Sequence, residues 1–254
     1  MNSVSLAVLA FLCPLLGAAV GMVARTRLPE HHLSRESTDV IKLATGLVAT
    51  LVALVLSLLI SSANSVRVTV ENEYKVALAD VVLLDRYLAA YGPQSGEVRG
   101  ELRDAFAQIF SRRFPGDDFG VRDKSLTGDR NQFVEIERRI LALVPANAEQ
   151  KWFQSQALQL ASALSQIHRL ALSQEVSSAP PWAVLIVVLL CSAFIFAGFG
   201  LFVPPNMTVV FSFAIAALAV AAAIFLIVDL GDPFTGFLNM SSAPAHATLS
   251  QLGK

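Results

Sequence analysis

The sequence predicts an all-α integral membrane protein with four transmembrane helices and a helical soluble bundle inserted between helices 2 and 3. The chain has 254 residues, of which 54% are hydrophobic and 15% charged, whereas soluble domains carry about 25% charged residues. No charged residue occurs in the stretches 4–24, 43–66 and 176–228. Between the second and third stretch, the apolar residues recur every three or four positions, which is the period of an α-helix.

The length of each uncharged stretch assigns the spans, because a helix needs about 20 residues to cross the hydrocarbon core. The third stretch has room for two spans, and Pro204, Pro205 and Asn206 interrupt it. Span 1 has no basic residue before it, and Arg25 and Arg27 follow it, which is the wrong polarity for a cleaved signal peptide. We therefore predict four spans, near residues 4–24, 42–63, 182–202 and 207–229.

The bundle is predicted to contain four helices. Its first helix continues span 2 and ends at Gly92 and Pro93, since glycine adopts the left-handed C-cap conformation and proline resists continuation. The last helix has an apolar stripe that begins at Trp152. The polar tail is expected to lie along the membrane surface. The predicted bundle helices are 64–91, 95–113, 129–143 and 147–176, and the predicted domains are 1–63 (spans 1 and 2), 64–179 (bundle), 180–230 (spans 3 and 4, with a hairpin at 203–206) and 231–254 (tail).

Span 2 carries one stripe of small or polar residues at helical spacing, while leucine and valine fill its other faces. Two interpretations stay open: close packing between helices, which small residues allow in lipid, or the wall of a water-filled pore. A four-span chain is too small to enclose a pore alone, so a pore would require several copies, each contributing span 2. The stripe consists of Gly46, Thr50, Ala53, Ser57, Ser61 and Asn64, and the neighbouring apolar residues proposed to narrow such a pore are Val52, Leu56 and Leu59.

Sequence signatures of enzymes are absent, so no catalytic residue is predicted. Cys13 and Cys191 lie in apolar stretches, and the adjacent His31 and His32 cannot share a helix face. We therefore predict no metal or cofactor site. A net charge of −1 argues against nucleic-acid binding. Ionisable residues are also missing from the middle of the spans, which argues against an ion-coupled transporter.

Charged residues of the bundle have two interpretations. Asp80 and Asp85 are expected to pair with nearby basic residues on their own helix. The basic residues either attract anions toward a vestibule or belong to an ordinary solvated surface with internal ion pairs. The basic residues concerned are Arg86, Arg99, Arg103, Arg112 and Arg113.

Several stretches, among them "DVVLLDRYLAAYGP", "FGLFVPPNMTVV" and "DPFTGFLNMSSAP", resemble a bacterial membrane family with a bestrophin-like domain. A more remote resemblance leads to the bestrophins, which are pentameric anion channels with four spans, a cytosolic helical part and a pore lined by span 2. "DPFTG" at 232–236 is similar to the N-P-F-G segment after their last span. The acidic, calcium-binding run that follows there has no counterpart here, so the resemblance implies no calcium site.

From the stripe and the resemblance we expect a homo-oligomeric, anion-conducting channel in the bacterial inner membrane, with a cytoplasmic bundle. Its partners would be the lipid bilayer, small anions and further copies of the chain, five by the resemblance. The alternative is a non-conducting membrane scaffold or sensor whose bundle binds a protein partner. Replacing Ser57 with leucine would alter conduction in a channel, but chiefly assembly in a scaffold.

Overall fold

The computed structural model describes residues 3–27, 35–121, 132–177, 182–203, 206–231, 234 and 236–253, and within these ranges the regular secondary structure is helical throughout. Parts of the predicted turns, including His31, His32, Pro204 and Pro205, lie outside the described residues. The α-helices are α1 (Ser3–Arg27), α2 (Arg35–Tyr91), α3 (Gly96–Arg113), α4 (Gln132–Ala142), α5 (Ala148–Ser177), α6 (Trp182–Phe202), α7 (Met207–Leu230) and α8 (Ala243–Gln251).

Four of these helices, α1, α2, α6 and α7, are long and apolar enough to cross a membrane. The prediction of an all-helical membrane protein with four candidate spans is therefore confirmed. The helices α1, α6 and α7 match the predicted spans closely. Asn206 starts α7 as its N-cap, because its side-chain oxygen accepts the backbone N–H of Val209 at 2.9 Å.

Contacts divide the chain into two compact units. The span unit comprises Met1–Arg67 and Ala179–Asp232, and the bundle unit comprises Val68–Ser178 and Pro233–Lys254. The long helix α2 contributes residues to both. Its helical structure continues without a break from Arg35 to Tyr91, as expected from the apolar spacing that continues past Asn64.

In the span unit, α1 and α6 lie so close that their backbones touch. A Cβ atom added at Gly17 would lie 2.2 Å from the carbonyl oxygen of Ala193, and one at Gly21 would lie 2.1 Å from that of Ala197. Because both positions advance by four residues, the two helices run in the same direction. Gly17 and Gly21 form a G-x-x-x-G motif, which permits such an approach in lipid.

The bundle unit instead packs large side chains. On α2, Tyr91 is buried where the helix ends. Leu78, Val81, Leu84 and Leu88 are buried as well. They belong to a core that also contains a network of aromatic rings with centroids 5.6–6.3 Å apart, a favourable separation for edge-on contacts. The rings of this network are Tyr74, Phe106, Phe110, Phe114, Phe119, Phe133 and Phe234.

The last part of the tail forms α8, and its position along a membrane surface stays a prediction. Ala245, Leu249 and Leu252 are buried in the core of the bundle unit. Although the tail as a whole is polar, these three apolar side chains share one face, and their burial against an apolar core is favourable.

Two glutamines secure the loop between α4 and α5. The side-chain amide of Gln154 donates to the carbonyls of Ile140 and Leu143, both at 2.8 Å, and that of Gln150 donates to the carbonyl of Tyr91 at 2.9 Å. Trp152, which was expected in the buried stripe of α5, is instead 53% exposed and contacts Tyr87 edge-on. The buried face of α5 runs instead through Ala157, Ala161 and Leu164.

Candidate functional site

The stripe on α2 lies on a face that no other part of the described chain covers. Thr50, Ala53, Ser57, Ser61 and Asn64 are exposed. Gly46 is partly exposed, and a Cβ atom added there would meet nothing within 4 Å. The six residues therefore share one accessible face of α2, and none of them mediates the packing within the subunit that Gly17 and Gly21 mediate on α1.

The opposite face of α2 packs against the rest of the span unit. Thr45 is 2% exposed, and its hydroxyl would meet a Cβ atom added at Gly198. Val52, Leu56 and Leu59 are half-buried and pack against the cluster formed by α1, α6 and α7. The constriction expected at these three positions therefore involves side chains that are partly used for packing within the subunit, and it stays a prediction.

A third face of α2 consists of leucines with no cover. It lies between the stripe and the packed face on the helix circumference, as the 3.6-residue period requires. Leu54, which is next to the stripe, is 63% exposed, and Leu58 is 69% exposed. The leucines of this face are Leu43, Leu47, Leu51, Leu54 and Leu58, each more than half exposed. Such a face is suited to lipid or to a neighbouring subunit.

The stripe is polar without being charged. The Thr50 hydroxyl donates to the carbonyl of Gly46 at 3.0 Å, so its oxygen can still accept a hydrogen bond from water. An exposed ion pair at the start of α2 joins Lys42 to Asp39 at 3.9 Å. A surface of this kind interacts with water and offers no fixed charge to bind an ion tightly.

In the bundle unit, Asp85 is paired across helices rather than along its own. Its carboxylate is 4% exposed and accepts two hydrogen bonds from Arg99 on α3, at 2.8 and 2.9 Å. The expectation of a partner on α2 is wrong for Asp85, because the side chain points into the α2–α3 contact. Asp80 is half-buried.

The basic residues named for a vestibule lie in different surroundings. Arg99 belongs to the buried pair, and the Arg113 guanidinium lies over the Phe234 ring at 4.9 Å. Arg86, Arg103 and Arg112 are exposed. Arg99 and Arg113 are therefore engaged in structural contacts, and the attraction of anions by these residues stays a prediction.

A surface network on α3 and α4 surrounds Arg139. This guanidinium lies 2.9 Å from Glu97, 2.9 Å from Glu101 and 3.4 Å from Glu135. Burial, followed by the repulsion of neighbouring carboxylates, raises the pKa of Glu101 in spite of Arg139. The hydrogen bond from Arg138 lowers the pKa of Glu135. Two carboxylates of one network are therefore shifted in opposite directions.

Among the described residues, no group of three or more His, Cys, Asp or Glu side chains is arranged to hold a metal ion. The described residues instead show three features: four apolar candidate spans, a helical bundle and an accessible polar face on the second span. A family model for the bestrophin-like domain matches residues 12–245. The chain belongs to the bestrophin-like family.

Solved structures share this bestrophin-like fold. One variant of a bacterial bestrophin homolog from Klebsiella pneumoniae matches with a TM-score of 0.66 at 14% identity, over 99% of this chain and 97% of that chain. Another variant matches with a TM-score of 0.61 at 16% identity, over 96% of both chains. A structure described as a membrane protein matches with a TM-score of 0.60 at 13% identity. No curated protein matches the sequence.

One contact in the span unit was not predicted, although the sequence contains a motif that indicates it. The G-x-x-x-G motif of span 1 is visible at Gly17 and Gly21 and indicates the close α1–α6 contact. The buried Arg99 partner of Asp85 has no comparable local signal, because the two residues are 14 positions apart on different helices.

Proposed function

We propose that this protein is a homo-oligomeric bestrophin-like ion channel whose pore is lined by α2. The observation that carries the proposal is the accessible polar face of α2, Gly46 to Asn64, in a chain of the bestrophin-like family. Several copies arranged around an axis would turn this face toward water, and the exposed leucine face would contact lipid or the adjacent copy.

The stripe supports a pore more than packing within the subunit. Close helix packing in the span unit relies on the glycines of α1 and α6, whose backbones approach a neighbouring helix. The small residues of the stripe on α2 remain accessible instead of packing against the other described helices. Small polar side chains leave room for hydrated ions, and their hydroxyls replace part of the water around an ion.

Two finer parts of the proposal concern gating and selectivity. Val52, Leu56 and Leu59 are proposed to narrow the pore by the edges of their half-buried side chains. Small anions are the proposed permeant ions, because the stripe carries no carboxylate and the chain belongs to the bestrophin-like family. The proposed location is the bacterial inner membrane, with the bundle in the cytoplasm.

Substituting Ser57 with leucine tests the pore. In planar bilayers under a chloride gradient, the unmodified protein should conduct with a reversal potential near that of chloride, and the Ser57→Leu variant should lose most of this conductance because a ring of leucines expels water. A reversal potential near that of the cation would contradict anion selectivity and leave the pore intact.

The matched control is Ser212→Leu. Ser212 is also an exposed serine on a span, with its hydroxyl bonded to the carbonyl of Thr208 at 2.9 Å, but it lies on α7. This variant should conduct normally. Native mass spectrometry of both variants must show the same oligomer, and equal conductance in both would overturn the assignment of α2 as the pore helix.

The scaffold alternative is supported by exposed apolar side chains in the bundle unit. Leu141 is 64%, Val144 87% and Trp152 53% exposed, and exposed apolar side chains of this size often mark protein contacts. An intact oligomer that conducts no ion under any gradient would favour this alternative.

A further inference from the structure

The part of α2 in the span unit has a single fully buried residue among those whose burial is described. Within residues 38–67 of this helix, Thr45 alone is buried. The packed face otherwise consists of half-buried aliphatic side chains, and apolar contact by itself gains little in lipid. Thr45 is therefore the point at which α2 packs most closely in the span unit. The half-buried side chains include Val48, Val52, Leu56 and Ile60.

Thr45 lies directly against a glycine of α6. A Cβ atom added at Gly198 would lie 2.9 Å from Oγ1 of Thr45 and 3.5 Å from its Cγ2. The shorter distance is too small for two atoms in van der Waals contact, so only glycine admits the threonine side chain at this separation. Threonine is branched at Cβ, which limits its χ1 rotamers in a helix, and the side chain therefore has little freedom to turn away.

The helix α6 is supported from its other side by α1. Gly200 points away from Gly198 on the helix circumference, because two residues advance by about 200°. A Cβ atom added at Gly200 would lie 2.4 Å from the carbonyl oxygen of Ala18. Since the backbone of α1 blocks a retreat of α6, added volume at Gly198 must displace α2.

We infer that Thr45 is the positioning residue of α2, because its contact with Gly198 fixes the distance between α2 and α6. The consequence for conduction rests on the proposed function, in which α2 lines the pore. Gly46, the first residue of the stripe, follows Thr45 directly, and Ser57 lies about 18 Å further along the same helix. Because α2 is continuous, a displacement at Thr45 moves the stripe with it. The contact thereby sets the width of the proposed pore.

Cryo-electron microscopy of the full chain in lipid nanodiscs tests the position of α2. In Gly198→Ala, α2 should move away from α6 by about 0.6–1 Å at residue 45, the shift that restores an ordinary contact distance, while α1 and α6 keep their separation. Adding Thr45→Ala removes Oγ1 and Cγ2 and leaves Cβ at 3.8 Å from the new methyl group, so α2 should return. An α2 that does not move in Gly198→Ala, or that stays displaced in the double variant, would overturn the inference.

The matched control replaces Thr45 with valine, which has the same branched shape. The double variant Gly198→Ala/Thr45→Val should stay displaced, and a return of α2 there would also count against the inference. If Gly198→Ala alone does not fold, recovery of the folded protein by Thr45→Ala and not by Thr45→Val supports the contact. Equal recovery by both, or by neither, contradicts it.

A second control addresses the other face of α6. Gly200→Ala should separate α6 from α1, because its methyl group meets the backbone of Ala18. Thr45→Ala should leave this separation unchanged. A restored α1–α6 distance would show that Thr45 does not act specifically through Gly198.

Single-channel recording in planar bilayers tests the consequence for the pore. The unitary chloride conductance should change by about two-fold or more in Gly198→Ala, because the pore width changes, and it should return in Gly198→Ala/Thr45→Ala. A conductance that stays constant while α2 moves would overturn the assigned effect on the pore. A protein that conducts no ion would contradict the proposed function, whereas the position of α2 in the maps still decides the role of Thr45.

Discussion

The span unit and the bundle unit solve the same packing problem with different side chains. In the span unit, α1 and α6 touch through Gly17, Gly21 and Gly200, where an added Cβ atom would collide with backbone. In the bundle unit, rings and leucines fill the core, and a buried ion pair joins α2 to α3. Apolar surface gains little by leaving lipid, so helices there associate through close contact, whereas burial away from water rewards large side chains.

Removing the cation of the buried pair should produce the largest loss. In Arg99→Leu, the Asp85 carboxylate would stay buried without its cation, with the Gly253 N–H as its remaining donor among the described residues, and the free energy of opening of α3 and α8 should fall by about 3 kcal/mol. Exchange-rate measurements on the corresponding peptides report this free energy. The control Arg103→Leu, one turn along α3 on an exposed residue, should change it by less than about 0.5 kcal/mol. Equal losses in both variants would show that the pair is dispensable.

Adding one methyl group between α1 and α6 should have the next largest effect. Gly21→Ala places a Cβ atom 2.1 Å from the Ala197 carbonyl oxygen, and separating the helices should cost about 2 kcal/mol. Cys13 and Cys191 are half-buried in the span unit, so their labelling by a thiol-reactive dye on heating reports its unfolding.

The control for this substitution is Gly46→Ala, in which the same methyl group meets nothing within 4 Å. Its labelling temperature should equal that of the unmodified protein, while Gly21→Ala should label at a temperature roughly 5 °C lower. If the two variants label at the same temperature, close contact at glycine is not what stabilises the packing of α1 on α6.

Substitutions in the surface network around Arg139 should change the stability of the bundle unit least, with opposite signs at Glu101 and Glu135. The raised pKa of Glu101 means that its ionised form opposes folding at pH 7, so Glu101→Gln should slightly stabilise the bundle unit there. The lowered pKa of Glu135 contributes stability above the ordinary value of 4.5, and this stability is lost as the pH falls. Glu135→Gln should therefore slightly destabilise the unit at pH 7.

Both effects should diminish as the pH falls from 7 to 3, because each glutamate becomes protonated in the unfolded chain and then in the folded chain, or in the reverse order where its folded pKa is raised. Opening free energies of α3 and α4 at pH 7 and pH 3 measure them. Changes of the same sign at pH 7 would contradict the opposite pKa shifts that burial imposes on Glu101 and Arg138 imposes on Glu135.

Local patterns were sufficient to locate most of the helices. Uncharged length identified the spans, and the Gly92–Pro93 pair marked the end of α2 at Tyr91. The bounds of α3, α5 and α6 agree with the expected ones to within about two residues. These features depend on neighbours in the chain, and the sequence displays them directly.

The candidate site was only partly accessible from the sequence. The stripe on α2 was recognisable from its spacing, but the accessibility of that face depends on where α1, α6 and α7 lie. For the same reason Val52, Leu56 and Leu59 were not recognised as packing residues. Trp152, a large apolar residue at a helical position, was assigned to the core although it is exposed.

The sequence by itself determined a helical membrane chain with four spans, one long second helix and a polar stripe along it, because length, charge and the 3.6-residue period are local properties. Only the tertiary structure decided which face of α2 stays open, that Asp85 pairs with Arg99, and that α8 enters the core of the bundle unit. Each of these depends on side chains that are distant in the sequence, and contacts of that kind leave no periodic trace in it.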